Sequence, residues 1–316
     1  MPFKFDPEFS AAFKAAGGST GGPSTPVGDV QTRRAGFKAN LKPLLATQFP
    51  ERASISKTDY FTKSADGHKV HLRWHSKPGS APGSALLYIH GGGLIMGDVS
   101  TFDGLVDEYV DTSGVPYLSV EYRLAPEHKY PKPLEDVYAG LKWLHEHAHE
   151  LGVDPSRIGI HGESAGGGLA AALTIYAREA QGPSIAKQIL VYPMLDDRVI
   201  QPDIYIKPFL VWSGDDNETG WDAYLGDKRG TTNVSETAAP ARLEHPSGLP
   251  PMYAEVGELD LFRDQVVDYV QRFSKAGVSA EFYLFPGVPH GYDWYAPRSR
   301  VGEIAMRGRR QAAQSI

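Results

Sequence analysis

Short apolar runs recur along most of the chain, separated by segments with helical periodicity. The apolar runs lie at 85–89, 115–120, 157–160, 188–195, 252–256 and 281–285. Runs of this length are typical of strands that are buried on both faces. Two of the helical stripes between them are formed by Val137, Leu141, Leu144, Ala148 and Leu151, and by Val266, Val267, Val270 and Phe273. Strands that alternate with helices predict an α/β fold with a mostly parallel, doubly wound sheet.

Three segments interrupt this alternation. Helical patterns and a Gly/Ser/Pro/Thr-rich stretch at 17–28 occupy the first fifty-odd residues, which indicates a segment appended to the main fold. Two alternating segments between residues 60 and 74 predict an antiparallel hairpin. Residues 198–245 are weakly periodic and indicate an insertion over the edge of the sheet. Ligands of open parallel sheets bind beyond the carboxyl ends of the strands, where such an insertion can form a lid.

Composition and charge remove several classes of function. A formal net charge of -6 gives no basic surface of the kind that nucleic acids or anionic membranes need. The chain has no cysteine, which excludes disulfides, thiolate metal sites and a cysteine nucleophile. The sequence has no signal-peptide core and no apolar run of about 18 residues. We therefore expect a cytoplasmic protein without stable membrane association.

A G-x-S-x-G motif lies where a predicted strand meets a predicted helix. In such a nucleophile elbow the turn is so tight that only small residues fit two positions before and two positions after the serine. Gly162 and Gly166 occupy those positions around Ser164, which makes Ser164 the predicted nucleophile. A second copy of the motif, GGSTG at 17–21, contains Ser19 but has no strand before it, so we interpret it as a flexible linker.

Three consecutive glycines follow the apolar run at 85–89. The sequence LLYIHGGG fits neither a P-loop nor a dinucleotide-binding loop. Glycine allows backbone N–H groups to approach a substrate closely, and such donors stabilise a developing oxyanion by several kcal/mol. We expect the N–H groups of Gly92, Gly93 and Ala165 to form an oxyanion hole.

An acid and a histidine follow the last two predicted strands. GELDLFRD contains Asp260, which we favour over Glu258 at the strand exit and Asp264 at the start of a helix. PGVPHGYD places His290 on a Gly/Pro-flanked loop, where it is the predicted base. The order Ser164, Asp260, His290 is the one expected in α/β-hydrolases and differs from that in chymotrypsin and subtilisin.

Together these motifs resemble the hormone-sensitive-lipase-like family of carboxylesterases. The resemblance covers about residues 60–310 and rests on HGGGL, YRLAPEHKYP, GESAGG, DLFRD and PHGYD, which occur in the family's order. It implies a sheet of about eight strands under a helical cap. The expected organisation is an N-terminal cap segment at 1–55, a core at 56–197 and 246–316, and a cap insertion at 198–245.

Two positions depart from the family pattern. Leu94 follows HGGG where the family usually has an aromatic residue, and Glu163 precedes the nucleophile where the family often has Asp. Neither change affects the predicted triad, but the acyl pocket can differ. We interpret four further motif residues as structural supports of the oxyanion loop: Tyr122, Arg123, Glu127 and Asp136.

Three other interpretations are weighed against this one. A metalloprotease would bind zinc through His145 and His149 of an H-E-x-x-H pattern, with Glu146 as base. A dinucleotide-binding fold would use the G-x-G-x-x-A pattern at 166–171 with Asp196 after the next strand. A non-catalytic small-molecule binding protein on the same fold, as in the plant gibberellin receptors, would lack a working triad. The buried stripe of the helix places the histidines of the zinc pattern on its flank or solvent face, and the dinucleotide interpretation leaves the contexts of HGGG, Asp260 and His290 unexplained. The presence of His290 argues for an enzyme over a binding protein.

The sequence therefore predicts a serine hydrolase that cleaves short- to medium-acyl or aryl esters through an acyl-enzyme. Four residues are expected to line the substrate pocket: Leu94, Tyr205, Phe209 and Trp212. Further aromatic residues that can contribute to it are Phe5, Phe9, Phe13 and Trp221. We expect no metal and no organic cofactor, and a small-molecule ester as the ligand. A homodimer is one option for the assembly.

Overall fold

An eight-stranded, mostly parallel sheet forms the centre of the structure, with strand order β1-β2-β4-β3-β5-β6-β7-β8. The structure is a computed structural model that describes residues 3–21, 24–79, 83–199 and 201–316. Only the pairs β1–β2 and β2–β4 are antiparallel. The strands are β1 (Ser56–Lys63), β2 (Lys69–Ser76), β3 (Gly83–Ile89), β4 (Tyr117–Glu121), β5 (Val153–Glu163), β6 (Gln188–Val191), β7 (Met252–Gly257) and β8 (Ala280–Phe285).

Helices cover both faces of the sheet and its carboxyl edge. They are α1 (Pro7–Ala15), α2 (Val30–Gly36), α3 (Lys42–Gln48), α4 (Val99–Ser113), α5 (Lys132–Glu146), α6 (Ala165–Glu179), α7 (Gly214–Leu225), α8 (Arg263–Lys275), α9 (Tyr292–Tyr295) and α10 (Arg300–Gln314). A π-helical turn at Phe37–Leu41 joins α2 to α3. Among the described residues, no helix combines the length and the apolar character needed to cross a bilayer.

The central strands are buried on both faces, as their apolar runs predict. Every residue of β6 and β7 is buried. The hairpin of β1 and β2 is also present, and Val70, Leu72 and Trp74 of β2 point towards the core together. Alternation of strand and helix thus gave the predicted α/β fold, and the hairpin adds the antiparallel edge.

Four local expectations differ from the structure. The strand predicted at 188–195 ends at Val191, because residues 192–195 turn away towards the insertion. β8 is half exposed because it is the edge strand, with Leu284 45% exposed. The helix predicted to reach Leu151 ends at Glu146, and the chain turns over the next residues. Val267 is exposed, because it lies about 100° around α8 from its buried neighbour Val266.

The parallel strands bring the four motif loops to one edge of the sheet. HGGG follows β3, the nucleophile turn follows β5, and the acid and histidine loops follow β7 and β8. Parallel strands that point the same way place their carboxyl ends side by side, so residues far apart in sequence meet there. The N-terminal helices and the insertion lie against this edge and against each other. Arg33 of α2 forms an ion pair of 2.8 Å with Asp216 of α7.

Candidate active site

Ser164 occupies a strained turn between β5 and α6. Its φ and ψ are 56° and -119°, in a region that residues other than glycine rarely adopt. The glycines on either side are required by contact: a Cβ on Gly162 would lie 2.1 Å from the carbonyl oxygen of Gly166. A Cβ on Gly166 would lie 2.0 Å from the carbonyl oxygen of Ile89. The turn therefore presents the Ser164 hydroxyl at the end of the strand, where it lines a cavity.

A continuous chain of hydrogen bonds joins the three predicted triad residues. His290 Nε2 lies 2.8 Å from Ser164 Oγ, and His290 Nδ1 lies 2.8 Å from Asp260 Oδ2. The other Asp260 oxygen accepts a hydrogen bond of 2.8 Å from the backbone N–H of Phe262. All three triad side chains are buried, with Asp260 fully inaccessible. This arrangement allows His290 to accept the Ser164 proton while Asp260 holds the imidazole in place.

The two rival acids make other contacts. Glu258 accepts a hydrogen bond of 3.0 Å from the backbone N–H of Gly287, which supports the turn after β8. Asp264 is 76% exposed at its side chain and forms an ion pair with its neighbour Arg263. Neither carboxylate is a hydrogen-bond partner of His290, so Asp260 is the acid that the structure brings to the imidazole.

The glycine loop after β3 approaches both Ser164 and the insertion. Gly92 and Gly93 have positive φ angles of 126° and 61°. A Cβ on Gly92 would lie 2.0 Å from the carbonyl oxygen of Met96, and one on Gly93 would lie 2.4 Å from the indole of Trp212. Glycine is therefore needed at both positions, although the second clash involves only the tip of a side chain.

Two groups of contacts hold this loop in position. The ring of His90 stacks between Tyr122 and Phe102, and Tyr122 Oη donates a hydrogen bond of 2.9 Å to the His90 carbonyl. Burial lowers the pKa of His90, so its imidazole is neutral, and its Nδ1–H donates to the Gly91 carbonyl. From the N-terminal segment, Arg34 donates to the carbonyl oxygen of Ile95 at 2.7 Å.

The remaining motif residues extend this support. Arg34 also contacts the carboxylate of Glu127 and the carbonyl of Ala125. Arg123 forms an ion pair of 2.7 Å with the buried Asp136. These side chains fix the segment after β4 against the glycine loop and do not line the cavity.

A cavity of about 610 Å³ opens above the triad. Ser164, His290, Gly92, Gly93 and Trp212 form its floor and one wall. The opposite wall comes from the N-terminal segment and from two aromatic residues after His290: Gly17, Gly18, Ser19, Thr25, Thr32, Arg33, Asn40, Leu41, Leu44, Trp294 and Tyr295. The stretch around Ser19, expected to be a linker, is thus part of the cavity wall.

Of the four residues expected to line the pocket, only Trp212 does so. Leu94 is 3% exposed and instead lines a small internal void beside Ala165. Tyr205 is 53% exposed on the outer surface of the insertion. Phe209 packs edge-on against Phe5 at a centroid distance of 5.1 Å. These corrections have one cause: apolar character marks burial, but which face of an insertion meets the cavity depends on its tertiary packing.

Other aromatic residues also pack elsewhere. Trp221 is 1% exposed and belongs to the core, and Phe9 and Phe13 stack on each other on the buried face of α1. Trp294 and Tyr295 were not among the predicted pocket residues, although they come shortly after His290 in the chain. Their position in the histidine loop was the available signal, since residues adjoining a catalytic loop tend to share its cleft.

The two alternative motifs do not form their sites. The helix carrying His145 ends at Glu146, so His149 does not lie one turn along the same helix, and His145 Nε2 is bonded to the Ser184 carbonyl at 2.9 Å. In the described ranges, no group of three or more His, Cys, Asp or Glu side chains is arranged to hold a metal ion. The glycines at 166–168 lie inside α6 and allow it to pack closely on neighbouring backbone, as with Gly168 against the Met194 carbonyl.

Comparison with known proteins agrees with this geometry. A family profile described as alpha/beta hydrolase fold matches residues 86–293, which is more than half of the chain. The chain belongs to the hormone-sensitive-lipase-like family of α/β-hydrolases. The family and the fold class that the motifs predict are therefore confirmed.

Characterised members of this family carry esterase names. Esterase LipI of Mycobacterium tuberculosis is 36% identical over 228 residues, which cover 69% of this chain and 68% of LipI. Ethyl acetate hydrolase of Pseudomonas putida is 30% identical over 271 residues, 79% of each chain. Among solved structures, a bacterial heroin esterase superposes with a TM-score of 0.88 at 35% identity, over 99% of this chain and 98% of that one. The chain is a carboxylic ester hydrolase, an enzyme of this family rather than a binding protein.

Proposed function

We propose that this enzyme hydrolyses short- to medium-acyl or aryl esters through an acyl-enzyme formed on Ser164. The observation that carries the proposal is the unbroken chain of contacts from Asp260 through His290 to Ser164, each 2.8 Å long, at the floor of the cavity. A base within hydrogen-bond reach of the nucleophile, itself oriented by a buried carboxylate, is the arrangement that activates a serine hydroxyl.

The reaction proceeds in two halves. As Ser164 Oγ bonds to the ester carbonyl carbon, its proton moves to His290 Nε2 and the carbonyl oxygen becomes negative. The N–H groups of Gly92, Gly93 and Ala165 stabilise that oxyanion. The tetrahedral intermediate collapses, the C–O bond to the alcohol breaks, and His290 returns its proton to the leaving alkoxide. Water then attacks the acyl-enzyme while His290 Nε2 takes its proton. The second tetrahedral intermediate collapses, the bond to Ser164 Oγ breaks, and Oγ regains the proton from His290 as the carboxylic acid leaves.

The substrate class follows from the cavity and from the relatives. A space of about 610 Å³ has room for an alcohol or acyl group of moderate size, and the indole of Trp212 limits its extent beside Gly93. One relative is named for the hydrolysis of ethyl acetate and a structural neighbour is named a heroin esterase, which supports a small ester as the substrate class. A small ester is thus the expected ligand. The cytoplasmic location and the homodimer stay predictions from the sequence.

The direct test compares wild type with Ser164→Ala on p-nitrophenyl acetate, butyrate and octanoate. We expect wild type to be active with and without EDTA, and Ser164→Ala to lose at least about 10⁴-fold in kcat while its circular dichroism spectrum is unchanged. Ser274→Ala, an exposed serine on α8, is the matched control and should retain full activity. An unchanged rate in a folded Ser164→Ala would refute the assignment of the nucleophile. If the wild-type rate declines as the acyl chain lengthens, the length at which it falls gives the longest acyl chain that the pocket accommodates.

A further inference from the structure

A buried network of polar side chains lies directly beneath the triad, and the mechanism above does not use it. Glu163, the residue before the nucleophile, is fully buried and does not line the cavity. Its Oε1 accepts a hydrogen bond of 2.6 Å from Tyr109 Oη, and its Oε2 accepts one of 3.1 Å from Trp294 Nε1. Trp294 follows His290 by four residues and lines the cavity. One carboxylate therefore links the nucleophile turn to the histidine loop.

A second connection runs between the same two loops through Arg309 of α10. Arg309 Nη1 donates to Tyr109 Oη at 2.9 Å and to Asp293 Oδ2 at 2.5 Å. The other Asp293 oxygen accepts a hydrogen bond of 2.9 Å from Tyr192 Oη, and the Tyr192 ring meets the imidazole of His290 edge-on at 4.7 Å. The path from Glu163 thus reaches the loop that carries His290 and the imidazole ring of His290.

We propose that Glu163 is a positioning residue whose ionised carboxylate holds the Ser164 turn and the His290 loop in register, so that full activity requires this group to be deprotonated. The inference rests on the proposed function of Ser164 and His290. Both contacts of Glu163 come from donors, and only a carboxylate can accept from the two at once without a proton of its own. A protonated Glu163 carries one O–H of its own, so the Tyr109 hydroxyl must turn to accept instead of donating or the contact with the protonated oxygen must weaken, and both contacts lose the assistance of the negative charge.

The charges around Glu163 explain why its proton is available near neutral pH. Arg309 is the cation of the network, and it is already paired at 2.5 Å with both Asp293 and Glu255. Burial raises the pKa of Glu163 to about 7, and the negative charge of Asp293 adds to this while Arg309 opposes it. The titratable and charged groups that interact with Glu163 are Tyr88 of β3, Tyr109 of α4, Tyr117 of β4, Tyr192, Asp293 of α9 and Arg309 of α10.

Activity is expected to rise with pH as Glu163 loses its proton. Above about pH 7 the carboxylate accepts two charge-assisted hydrogen bonds that link the two loops, whereas below that value the protonated acid holds them by weaker neutral contacts. Glu163→Gln is the neutral isostere of the protonated acid and should behave as the low-pH form at every pH. We expect Glu163→Gln to lower kcat by about tenfold and to leave KM within about twofold, because Glu163 touches no substrate. For comparison, a misplacement of a catalytic group by about 1 Å would lower the rate by about 10²-fold.

The decisive measurement is the ratio of kcat/KM for wild type to that for Glu163→Gln, from about pH 5.5 to about pH 9. Any group that titrates alike in both proteins lowers both rates equally and cancels in the ratio. We expect the ratio to fall from about tenfold at high pH to near one at low pH. Glu108→Gln, a buried acid on α4 that pairs with Arg52, is the control and should give a ratio that does not vary with pH. Glu163→Asp, which keeps the charge, should restore part of the activity lost in Glu163→Gln and retain the pH dependence.

A second readout does not depend on turnover. The chain has five tryptophans, and Trp294→Phe identifies which indole N–H resonance in an ¹⁵N–¹H spectrum belongs to Trp294. That resonance should titrate near neutral pH in wild type and not in Glu163→Gln. A ratio that is constant with pH, or a Trp294 resonance that titrates identically in the variant, overturns the inference even if Ser164→Ala has established the esterase. If wild type hydrolyses no ester, the proposed function fails separately, and a Trp294 resonance that does not titrate overturns the inference as well.

Discussion

Replacing Asp260 by asparagine tests the orientation of the base with a change of one atom. Asp260 Oδ1 accepts a hydrogen bond from the backbone N–H of Phe262, and Oδ2 faces His290 Nδ1, each at 2.8 Å. In Asp260→Asn the amide oxygen must stay towards Phe262, because its NH₂ group cannot accept that bond. The NH₂ group then points at His290 Nδ1 and favours the tautomer with the proton on Nε2. That tautomer cannot accept the Ser164 proton.

The expected loss follows from the tautomer. Asparagine at this position of a Ser-His-Asp triad lowers kcat by about 10⁴-fold, or about 5.5 kcal/mol of barrier. Wild type and Asp260→Asn would be compared by kcat on p-nitrophenyl butyrate, with circular dichroism to verify folding. Asp264→Asn is the matched control, since its side chain is 76% exposed, and it should stay within about twofold of wild type. A folded Asp260→Asn that keeps more than about a tenth of the activity would show that His290 is oriented by something else.

Two further predictions concern the glycine loop. Gly92→Ala and Gly93→Ala should both lower kcat, but only the second should be partly rescued by Trp212→Ala, because a Cβ at 92 would clash with backbone and one at 93 with the indole. A double-mutant cycle in kcat/KM measures this, and equal rescue of both would contradict the contact. Arg34→Ala should lower kcat, and it should lower the Tm by a few degrees, because the carbonyl oxygens of Ile95 and Ala125 lose a charged donor. An Arg34→Ala variant with unchanged kcat and Tm would show that the N-terminal segment does not support the loop.

The fold could be predicted because its signals are local. Buried parallel strands give short apolar runs, and the helices between them give stripes of period 3.6, so the alternation is visible without any knowledge of contacts. The Ser164 turn is also visible as a short motif: a Cβ on Gly162 would clash with the Gly166 carbonyl inside it, although the clash at Gly166 is with Ile89 of the neighbouring strand β3. The order of the strand-end loops then follows from the topology of the sheet.

The cavity wall could not be predicted, because it is made by segments that have no local reason to face it. Trp212 and Tyr205 are both aromatic residues of the insertion, yet one lines the cavity and the other is 53% exposed. The difference is set by how the insertion packs on Gly93 and on the N-terminal helices, which are distant in sequence. Residues such as Ser19 and Thr32 carry no apolar signal and enter the wall through backbone placement alone.

Glu163 combines a position that the sequence motif reveals with contacts that the sequence does not reveal. Its position next to Ser164 is obvious from the motif, and the sequence marks it only as a departure from the usual Asp. Its partners come from α4, α9 and α10, and nothing local in those helices indicates a shared carboxylate. The topology of the sheet brings Ser164 and His290 to the same edge. The end of a strand fixes where a loop begins, but it does not fix the orientation of the side chains in that loop. Contacts from Glu163 to Tyr109 and Trp294 supply that angular constraint, which is why a substitution at a position that touches no substrate should change kcat more than KM.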